Sequence, residues 1–420
     1  MSIAKLCSYS ILFRIVQQYG KERQPMTANP LKQELENRID SLRKALIDVD
    51  PGFDTALVTG RVNQYYFTGT MQDGLLVVKR DGGAYYFVRR SLERALDECP
   101  LDIVYPMMSY RDMVGIVPTN FGNTYIETES VPIAMLGRLQ KYFKMDKINP
   151  LDRIIFAQRA IKSPRELELI RQSGRQHLQL LEEIAPSLLR EGISEAEFQG
   201  ELFAAMIKLG YQGVSRFSIF QTEMVVGQLG FGENSVYPTS FDGPGGMKGM
   251  NAASPAIGSR KRRLKKGDLV FVDIGYGVGG YHSDKTQVYS FGAPPEAEIV
   301  KIHRACIEVE RRCAAMLVAG AIPSQIYAKI MDNLPEGLSE GFMGYPKGVC
   351  FLGHGVGLHI DEPPAIAKGF DTPLAENMVI ALEPKCGIPG VGTVGVEDTY
   401  IITAGGSECV TGGGRDIMTV

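Results

Sequence analysis

The segment Gly267–Gly292 constrains the fold of this chain more than any other, because it predicts a β-hairpin that carries two carboxylates. Two apolar strands flank a glycine-rich turn, Gly275–Gly280. Asp273 ends the first apolar run, LVFVD, and Asp284 opens the second strand. Moving a carboxylate out of water costs several kcal/mol unless a partner compensates for it. Either a cation lies between the two aspartates, or one or both of them lie in water at a strand end.

Three residues further along the chain favour the cation. His354 lies in FLGHGVGLHIDEPP, where the flanking glycines leave room for close backbone approach. Glu383 follows the apolar run MVIAL, and Glu397 follows the glycine-rich turn in VGTVGVED. With Asp273 and Asp284 they form an oxygen-rich set that includes one imidazole, which suits two hard or borderline divalent ions. Four carboxylates also roughly neutralise two dications.

The chemistry of such a pair of ions is specific. Two ions a few ångström apart hold a bridging water, lower its pKa and stabilise the oxyanion of an attacked carbonyl. The donor types accept Mn, Co, Fe or Zn. We therefore expect two divalent ions as cofactors, with manganese as the first candidate.

The order of the five residues resembles that of a known family. The chain is similar to the pita-bread metalloenzymes in the order of its motifs. These are an aspartate, a second aspartate eleven residues later, and then GHGxGL, ALEP and GxxGVEDT. The family includes methionine aminopeptidase, aminopeptidase P, prolidase and creatinase. The resemblance implies that the ligands of a dinuclear metal centre are Asp273, Asp284, His354, Glu383 and Glu397. It also implies an α+β protein whose C-terminal domain has the pita-bread fold, with helices enclosing a curved, mostly antiparallel sheet.

Composition and charge exclude other classes of protein. The chain is 44% hydrophobic and 22% charged, with a net charge of −3, which is ordinary for a soluble globular protein. Neither nucleic acid nor an anionic membrane is an expected partner, because no large basic excess exists to bind one. Seven scattered cysteines without CxxC spacing indicate reduced thiols, and hence a cytoplasmic protein.

Length and local patterns predict a leader and two domains. At 420 residues, two domains are expected, and we place them at 31–155 and 156–420. Residues 1–30 form the leader. Its apolar stretch is interrupted by Arg14, is too short to span a membrane and lacks a small-residue cleavage site. We expect this leader to be disordered or amphipathic.

Residues 31–155 predict a smaller α/β domain. A helix over 31–47 precedes a strand over 55–60, and the runs YYFTGT, GLLVVKR, GAYYFVRR and DIVYPM predict further short strands. The segment DTALVTGRVNQYYFTGT resembles the N-terminal domain of the creatinase, prolidase and aminopeptidase P branch. Methionine aminopeptidases generally lack that domain. In the branch that has it, the domain helps to close the active site and supports dimerisation, so the resemblance implies a homodimer.

Four helices are predicted in the C-terminal domain, over about residues 163–189, 194–209, 294–318 and 323–334. The first begins with the capping box of Ser163 and Glu166, and has proline at its first turn. The second begins with the capping box of Ser194 and Glu197.

The chain departs from the family at two positions that bind substrate. Peptidase members carry a histidine roughly seventeen residues before the first aspartate ligand, where this chain reads NAASPAIGS. A second histidine belongs seven residues after the ligand histidine, where this chain has Asp361, with His359 two residues earlier. Strand alternation places His282 on the same side as Asp284, near the site. A positioned acid, base or oxyanion donor contributes about 10²–10⁴-fold, so losing two without replacement would leave a poor peptidase.

Two functions follow from this pattern. The first is a dinuclear metal-dependent hydrolase of the Xaa-Pro aminopeptidase or prolidase type that cleaves short, proline-containing peptides. In it Glu383 is both ligand and general base, and His359 or Asp361 handles the proton of the leaving group. The second is a non-peptidase enzyme on the same fold, a small-molecule C–N hydrolase or a lyase. A binding protein without catalysis is disfavoured, because every ligand position carries a competent donor.

Overall fold

The computed structural model describes residues 29–219, 222–338 and 340–420, so residues 1–28 of the predicted leader lie outside it. The chain divides into two compact units between Gln158 and Arg159. The described part of the chain contains no helix that is long and apolar enough to cross a membrane.

The first unit contains a mixed six-stranded sheet in the order β4-β3-β2-β1-β5-β6. Its strands are β1 Thr55–Val58, β2 Gly74–Lys79, β3 Ala84–Val88, β4 Val104–Pro106, β5 Asn120–Ile126 and β6 Lys144–Pro150. Strand β2 is antiparallel to β1 and β3, and the other neighbours are parallel. The helices are α1 Pro30–Val49, α2 Arg61–Thr68, α3 Leu92–Glu98, α4 Ile133–Leu139 and α5 Asp152–Ala160, with a 3₁₀ turn at Tyr110–Met113. The expected smaller α/β domain is confirmed.

Helix α1 shows how local sequence sets these elements. Asn29 caps the helix by accepting a hydrogen bond from the backbone N–H of Leu31, and Pro30 occupies the first turn. Four apolar residues repeat at helical spacing and are buried, which gives the helix one core-facing side: Leu35, Ile39, Leu42 and Leu46.

The strand predicted for YYFTGT is wrong, because α2 continues through Thr68. Gly69, with φ of 77°, closes the helix in the left-handed conformation that commonly ends helices. Tyr66 and Phe67 are buried, and their rings meet edge to face. Aromatic and β-branched residues indicate a strand by propensity, but burial in the tertiary structure overrides that preference here.

The second unit contains three antiparallel systems. Its strands are β7 Gly227–Phe231, β8 Leu269–Val278, β9 Tyr281–Ser290, β10 Gly353–Gly355, β11 Val379–Leu382, β12 Lys385–Ile388, β13 Gly392–Gly395, β14 Asp398–Thr403, β15 Gly406–Cys409 and β16 Met418–Thr419. They pair in the orders β16-β9-β8-β7, β10-β11-β14-β15 and β12-β13. Only β16 with β9 is parallel among these pairs. The prediction of a mostly antiparallel sheet is confirmed.

Three of the four helices predicted in the second unit begin within one residue of the predicted start, and the one predicted from residue 294 begins at Ala297. The helices of this unit are α6 Pro164–Gln179, α7 Ala185–Leu188, α8 Glu195–Lys208, α9 Ala297–Ala314 and α10 Pro323–Met331, with a π-helical turn at Leu180–Ile184 and a 3₁₀ turn at Gly232–Val236. Both predicted capping boxes are present, with reciprocal bonds between Ser163 and Glu166 and between Ser194 and Glu197.

The hairpin predicted at Gly267–Gly292 is confirmed, but its turn is shorter than predicted. The two strands leave only Gly279 and Gly280 as the turn, with φ of 58° and 95°. A two-residue hairpin turn of this kind requires positive φ at both positions, which glycine adopts without strain. Gly275 instead lies within β8, where an added Cβ would lie 1.9 Å from Cδ1 of Ile360.

Candidate active site

The hairpin brings its two aspartates to one buried face. Asp273 on β8 pairs with Thr286 on β9, and Asp284 pairs with Gly275. Residues two apart on one strand share a face, so Asp273 and Asp284 are diagonal neighbours. Their exposed fractions are 9% and 8%. The alternative in which either one lies in water at a strand end is therefore wrong.

The other three predicted ligands reach the same place from neighbouring strands. His354 lies on β10, Glu383 directly follows β11, and Glu397 directly precedes β14, which pairs with β11. An isolated bridge between Thr286 and Glu397 joins this sheet to the hairpin. The side chains of all three ligands are buried.

Part of this cluster is arranged to hold a cation. Nε2 of His354 lies 3.4 Å from Oε1 of Glu383, 3.6 Å from Oε1 of Glu397 and 4.0 Å from Oδ2 of Asp284. Donor atoms of Asp284, His354 and Glu397 all lie within 4.8 Å of one another. Oε1 of Glu397 is buried and has no hydrogen-bond partner. Carboxylate oxygens with one imidazole fit a divalent ion of the expected kinds.

A lysine that the sequence analysis did not single out lies in the same cluster. Nζ of Lys385 donates to Oδ2 of Asp273 at 2.9 Å, to Oε2 of Glu383 at 2.9 Å and to Oε2 of Glu397 at 2.6 Å. Its side chain is 0% exposed. One signal could have found it: in ALEPKCGI, Lys385 stands two residues after Glu383, a spacing that puts both on one side of an extended chain.

The carboxylates of the cluster resist ionisation. Burial raises the pKa of Asp273 to about 7 against the opposing effect of Lys385, and burial beside Glu397 and Asp273 raises the pKa of Asp284 well above its usual range. Burial also raises the pKa of Glu383, although Lys385 and His354 oppose it. Because burial disfavours the ionised form of each carboxylate, an added cation would stabilise the ionised cluster.

The imidazole of His354 is affected by burial in the opposite sense to the carboxylates. Burial alone would lower the pKa of His354, but the carboxylates of Asp361, Glu383 and Glu397 raise it well above its usual value. A protonated His354 thus balances part of the negative charge when no ion is bound.

The two predicted proton-handling residues lie in different surroundings. Asp361 lines the pocket, with Oδ1 3.9 Å from Nδ1 of His354, and burial raises its pKa. His359 does not line that pocket. Its Nδ1 lies 3.2 Å from Nη2 of Arg159, and its backbone N–H points at Oε2 of Glu362, 3.4 Å away.

His282 also lies away from the pocket lining. Its Nδ1 lies 2.9 Å from the carbonyl oxygen of Gly357, and its Nε2 lies 3.1 Å from Nε2 of Gln212. Burial lowers its pKa to about 4. The ring therefore remains neutral near pH 7 and braces the segment that follows His354.

The pocket beside the cluster combines apolar walls with the polar and charged side chains of the cluster. The residues lining it, apart from the five predicted ligands, are Phe217, Met224, Gln228, Phe241, Ile274, Gly275, Ile360 and Asp361. Within the described residues, His354 is the one histidine among them. Ligand sites commonly place apolar walls beside polar groups that fix the orientation of the ligand.

Comparison with known proteins identifies the fold. The chain is similar to the solved structure of the prolidase from Pyrococcus horikoshii OT3, with a TM-score of 0.75 and 22% identity over 91% of this chain and 100% of that one. The Xaa-Pro dipeptidase from Bacillus anthracis gives a TM-score of 0.74 and 22% identity over 92% of this chain and 100% of that one. These likenesses define an N-terminal creatinase-type domain followed by a pita-bread domain.

Sequence comparison then identifies the family. Residues 168–404 match metallopeptidase family M24, and residues 38–161 match the creatinase/prolidase N-terminal domain. The Xaa-Pro dipeptidase of Pyrococcus furiosus is 25% identical over 394 residues, which cover 91% of this chain and 100% of that protein. The chain belongs to metallopeptidase family M24, and it is an enzyme of the peptidase-type hydrolases, as the sequence predicted.

Proposed function

We propose that this enzyme hydrolyses short, proline-containing peptides, as an Xaa-Pro peptidase does. The observation that carries the proposal is the buried cluster of Asp284, His354 and Glu397, which opens into an apolar pocket. The full-length match to proteins named Xaa-Pro dipeptidase supports the same substrate class.

A divalent ion is the proposed cofactor, and manganese is the first candidate. The sequence predicts two such ions. The donors of Asp284, His354 and Glu397 support one of them, whereas Lys385 lies where the other carboxylate oxygens converge. A bound ion would supply Lewis acidity, which polarises the scissile carbonyl.

Glu383 is the proposed general base. Its Oε2 is fixed by Lys385, and its Oε1 faces His354 at the pocket. A carboxylate that is fixed in this way can remove a proton from an attacking water without first losing side-chain freedom.

Asp361 is the proposed donor of the leaving-group proton. It stands where the family pattern has a histidine, it lines the pocket, and burial raises its pKa, which favours the protonated form that can donate. The catalytic role predicted for His359 stays a prediction. Its contacts with Arg159 and Glu362 support a second role, which is to fix the segment that carries Asp361.

The apolar walls support the proposed preference for proline. Phe217, Phe241 and Ile360 offer flat or branched surfaces, and the rings of Phe217 and Phe241 meet edge to face at 5.3 Å. A pyrrolidine ring is apolar and rigid, so it fills such a wall at little cost in conformational entropy.

We also propose a cytoplasmic homodimer. The described cysteines are all free thiols, which supports a reducing compartment. Dimerisation rests on the resemblance of the N-terminal domain to the creatinase and prolidase branch. Light scattering on the purified chain tests it, and a monomer at micromolar concentration would contradict it.

The function is tested with a panel of Xaa-Pro dipeptides and tripeptides, assayed with the purified chain loaded with Mn²⁺. We expect turnover in the presence of the ion and its loss after chelation. Asp284→Asn should abolish turnover, while Asp268→Asn changes a partly buried carboxylate that pairs with Arg262 and serves as the matched control. Full turnover by thoroughly demetallated enzyme would contradict the proposal.

A second function is favoured by one observation. Asp361 lines the pocket at the position where the family pattern has a substrate-binding histidine. A non-peptidase enzyme, a small-molecule C–N hydrolase or a lyase, would accept such a change. Turnover of small amidines, amides or sulfonium compounds, with none of the peptide panel, would favour this alternative.

A further inference from the structure

A centre built only from metal ligands would not contain a buried lysine, and Lys385 is such a lysine. It is buried at the start of β12 and makes hydrogen bonds to three of the five predicted ligands. We infer that the ammonium group of Lys385 takes the place of one of two metal ions, so that the centre binds a single divalent ion. The inference refines the metal site of the proposed function, but it does not depend on the substrate being a peptide.

The two glutamates divide the cluster into two sides. In both Glu383 and Glu397, Oε2 accepts a hydrogen bond from Nζ of Lys385. The other oxygen of each, Oε1, faces Nε2 of His354. Asp273 belongs to the lysine side and Asp284 to the histidine side. A two-cation centre is expected to have two bridging carboxylates and one cation position on each side of them. Here an ammonium occupies one of these positions.

The hydrogen-bond geometry leaves little room for a metal ion on the lysine side. An ammonium has three N–H donors, and Nζ of Lys385 directs them at three carboxylate oxygens between 2.6 and 2.9 Å away. Metal–carboxylate bonds are shorter, at about 2.0–2.2 Å. An ion bound to those same oxygens would therefore have to lie where Nζ lies.

The lysine is also held from its backbone. Lys385 pairs with Gly395 on β13, and a Cβ on Gly395 would lie 2.5 Å from Cα of Lys385. The carbonyl oxygen of Lys385 accepts a hydrogen bond of 2.8 Å from the N–H of Met343. Since both neighbours fix the strand, the side chain cannot leave the cluster by a shift of its backbone alone.

The charge of a mixed centre is close to balance. One ammonium and one dication supply three positive charges against the four carboxylates of Asp273, Asp284, Glu383 and Glu397. The histidine side still has an orphaned acceptor, Oε1 of Glu397, whereas each oxygen that faces Lys385 has a donor. The structure thus leaves one position for a metal ion.

The test is the number of ions bound by the full-length chain. Purified protein is stripped with a chelator, titrated with Mn²⁺ by calorimetry, and analysed for metal after removal of the free ion. The wild type should bind one ion per chain and give the electron paramagnetic resonance spectrum of an isolated Mn²⁺. Lys385→Ala should bind two ions and give the spectrum of a spin-coupled pair.

Two variants control for indirect effects. Lys285→Ala removes another buried ammonium, which pairs with Asp398 at 2.8 Å outside the five predicted ligands, and should still bind one ion. Lys385→Ala combined with Asp273→Asn removes a ligand from the vacated side and should return to one ion. If Lys385→Ala does not fold without metal, it is refolded in excess Mn²⁺. Lys385→Ser then gives a second test of whether removing the ammonium allows a second ion to bind.

Two ions in the wild type, or an isolated Mn²⁺ spectrum in folded Lys385→Ala and Lys385→Ser alike, would overturn the inference. This result is distinct from failure of the proposed function. A chain that binds one ion and cleaves no peptide contradicts the substrate proposal alone. A chain that binds two ions and cleaves peptides rapidly contradicts only the inference about Lys385.

Discussion

Replacing Glu362 with glutamine tests the buried charge network behind the pocket. Glu362 pairs with Nη2 of Arg159 and lies 3.3 Å from Nζ of Lys162, and all three side chains are 1–2% exposed. Glu362→Gln keeps the shape but removes the only carboxylate that these two ion pairs share. Breaking a buried pair by removing one partner costs about 3–5 kcal/mol, because the remaining charge is left without compensation.

The pH dependence of this loss can be worked out from Lys162. Burial lowers its pKa, and Glu362 is the group that most opposes the lowering. Without Glu362 the folded-state pKa falls further below the unfolded value of about 10.4. Between these two pKa values the unfolded chain binds more protons at this site than the folded chain, so stability rises with pH. The destabilisation is therefore full below the folded value and disappears above the unfolded value. We expect a loss of about 4 kcal/mol near pH 7 and a smaller loss near pH 10.

The assay is urea unfolding followed by far-ultraviolet circular dichroism, since the chain has no tryptophan. Each unit has its own core, so the transition of the second unit is the one expected to move. Adding Lys162→Met to Glu362→Gln should recover more than about 1 kcal/mol, because one uncompensated cation is gone. A loss below about 1 kcal/mol, or purely additive effects of the two changes, would refute this account of the network.

Three further outcomes are expected. Asp284→Asn should lower kcat/KM by at least about 10²-fold and weaken Mn²⁺ binding, because it removes a donor of the ion site; unchanged calorimetric affinity would contradict that role. Asp361→Asn should lower kcat by about 10²–10⁴-fold and remove one limb of the pH–rate profile with little change in KM; an unchanged profile would rule out proton donation. His177→Phe should keep the stacking on Tyr276 and make stability less sensitive to acid. Burial holds the pKa of His177 well below its usual value, so below about pH 6.5 only the unfolded chain gains a proton at this residue. The variant should therefore reduce the slope of the free energy of unfolding against pH by about 1.4 kcal/mol per pH unit. An equal slope in both proteins would contradict this.

The parts of the site that could be predicted are those that follow from the local sequence. A carboxylate inside an apolar strand is costly, so the pattern of Asp273 and Asp284 on one hairpin is enough to indicate a compensating partner. The capping boxes at Ser163 and Ser194 fix the helix starts for a similarly local reason. The predicted length of the turn was wrong because β8 continues through Gly275, and a glycine within a strand has the same sequence signature as a glycine within a turn.

The contacts that were missed join residues far apart in sequence. Arg159 and His359 are separated by 200 positions, and no spacing rule brings them together. Their contact turns a histidine next to the ligand motif away from the pocket lining, while Asp361, two residues later, remains in it. Strand alternation does not apply to His359 and Asp361, because the segment after His354 is not a regular strand.

The balance of charge shows why the ligand motif alone does not determine the metal content. The motif supplies four carboxylates and one imidazole, and this set attracts positive charge without specifying its source. Lys385 supplies one such charge as part of the chain itself. It stands two residues after Glu383, and its ammonium group lies within the cluster. An ammonium hydrogen-bonds but cannot act as a Lewis acid, so Lewis-acid polarisation of a substrate carbonyl would come from an ion on the histidine side. The reaction should therefore be confined to the face of the cluster where His354 and Asp361 meet the pocket.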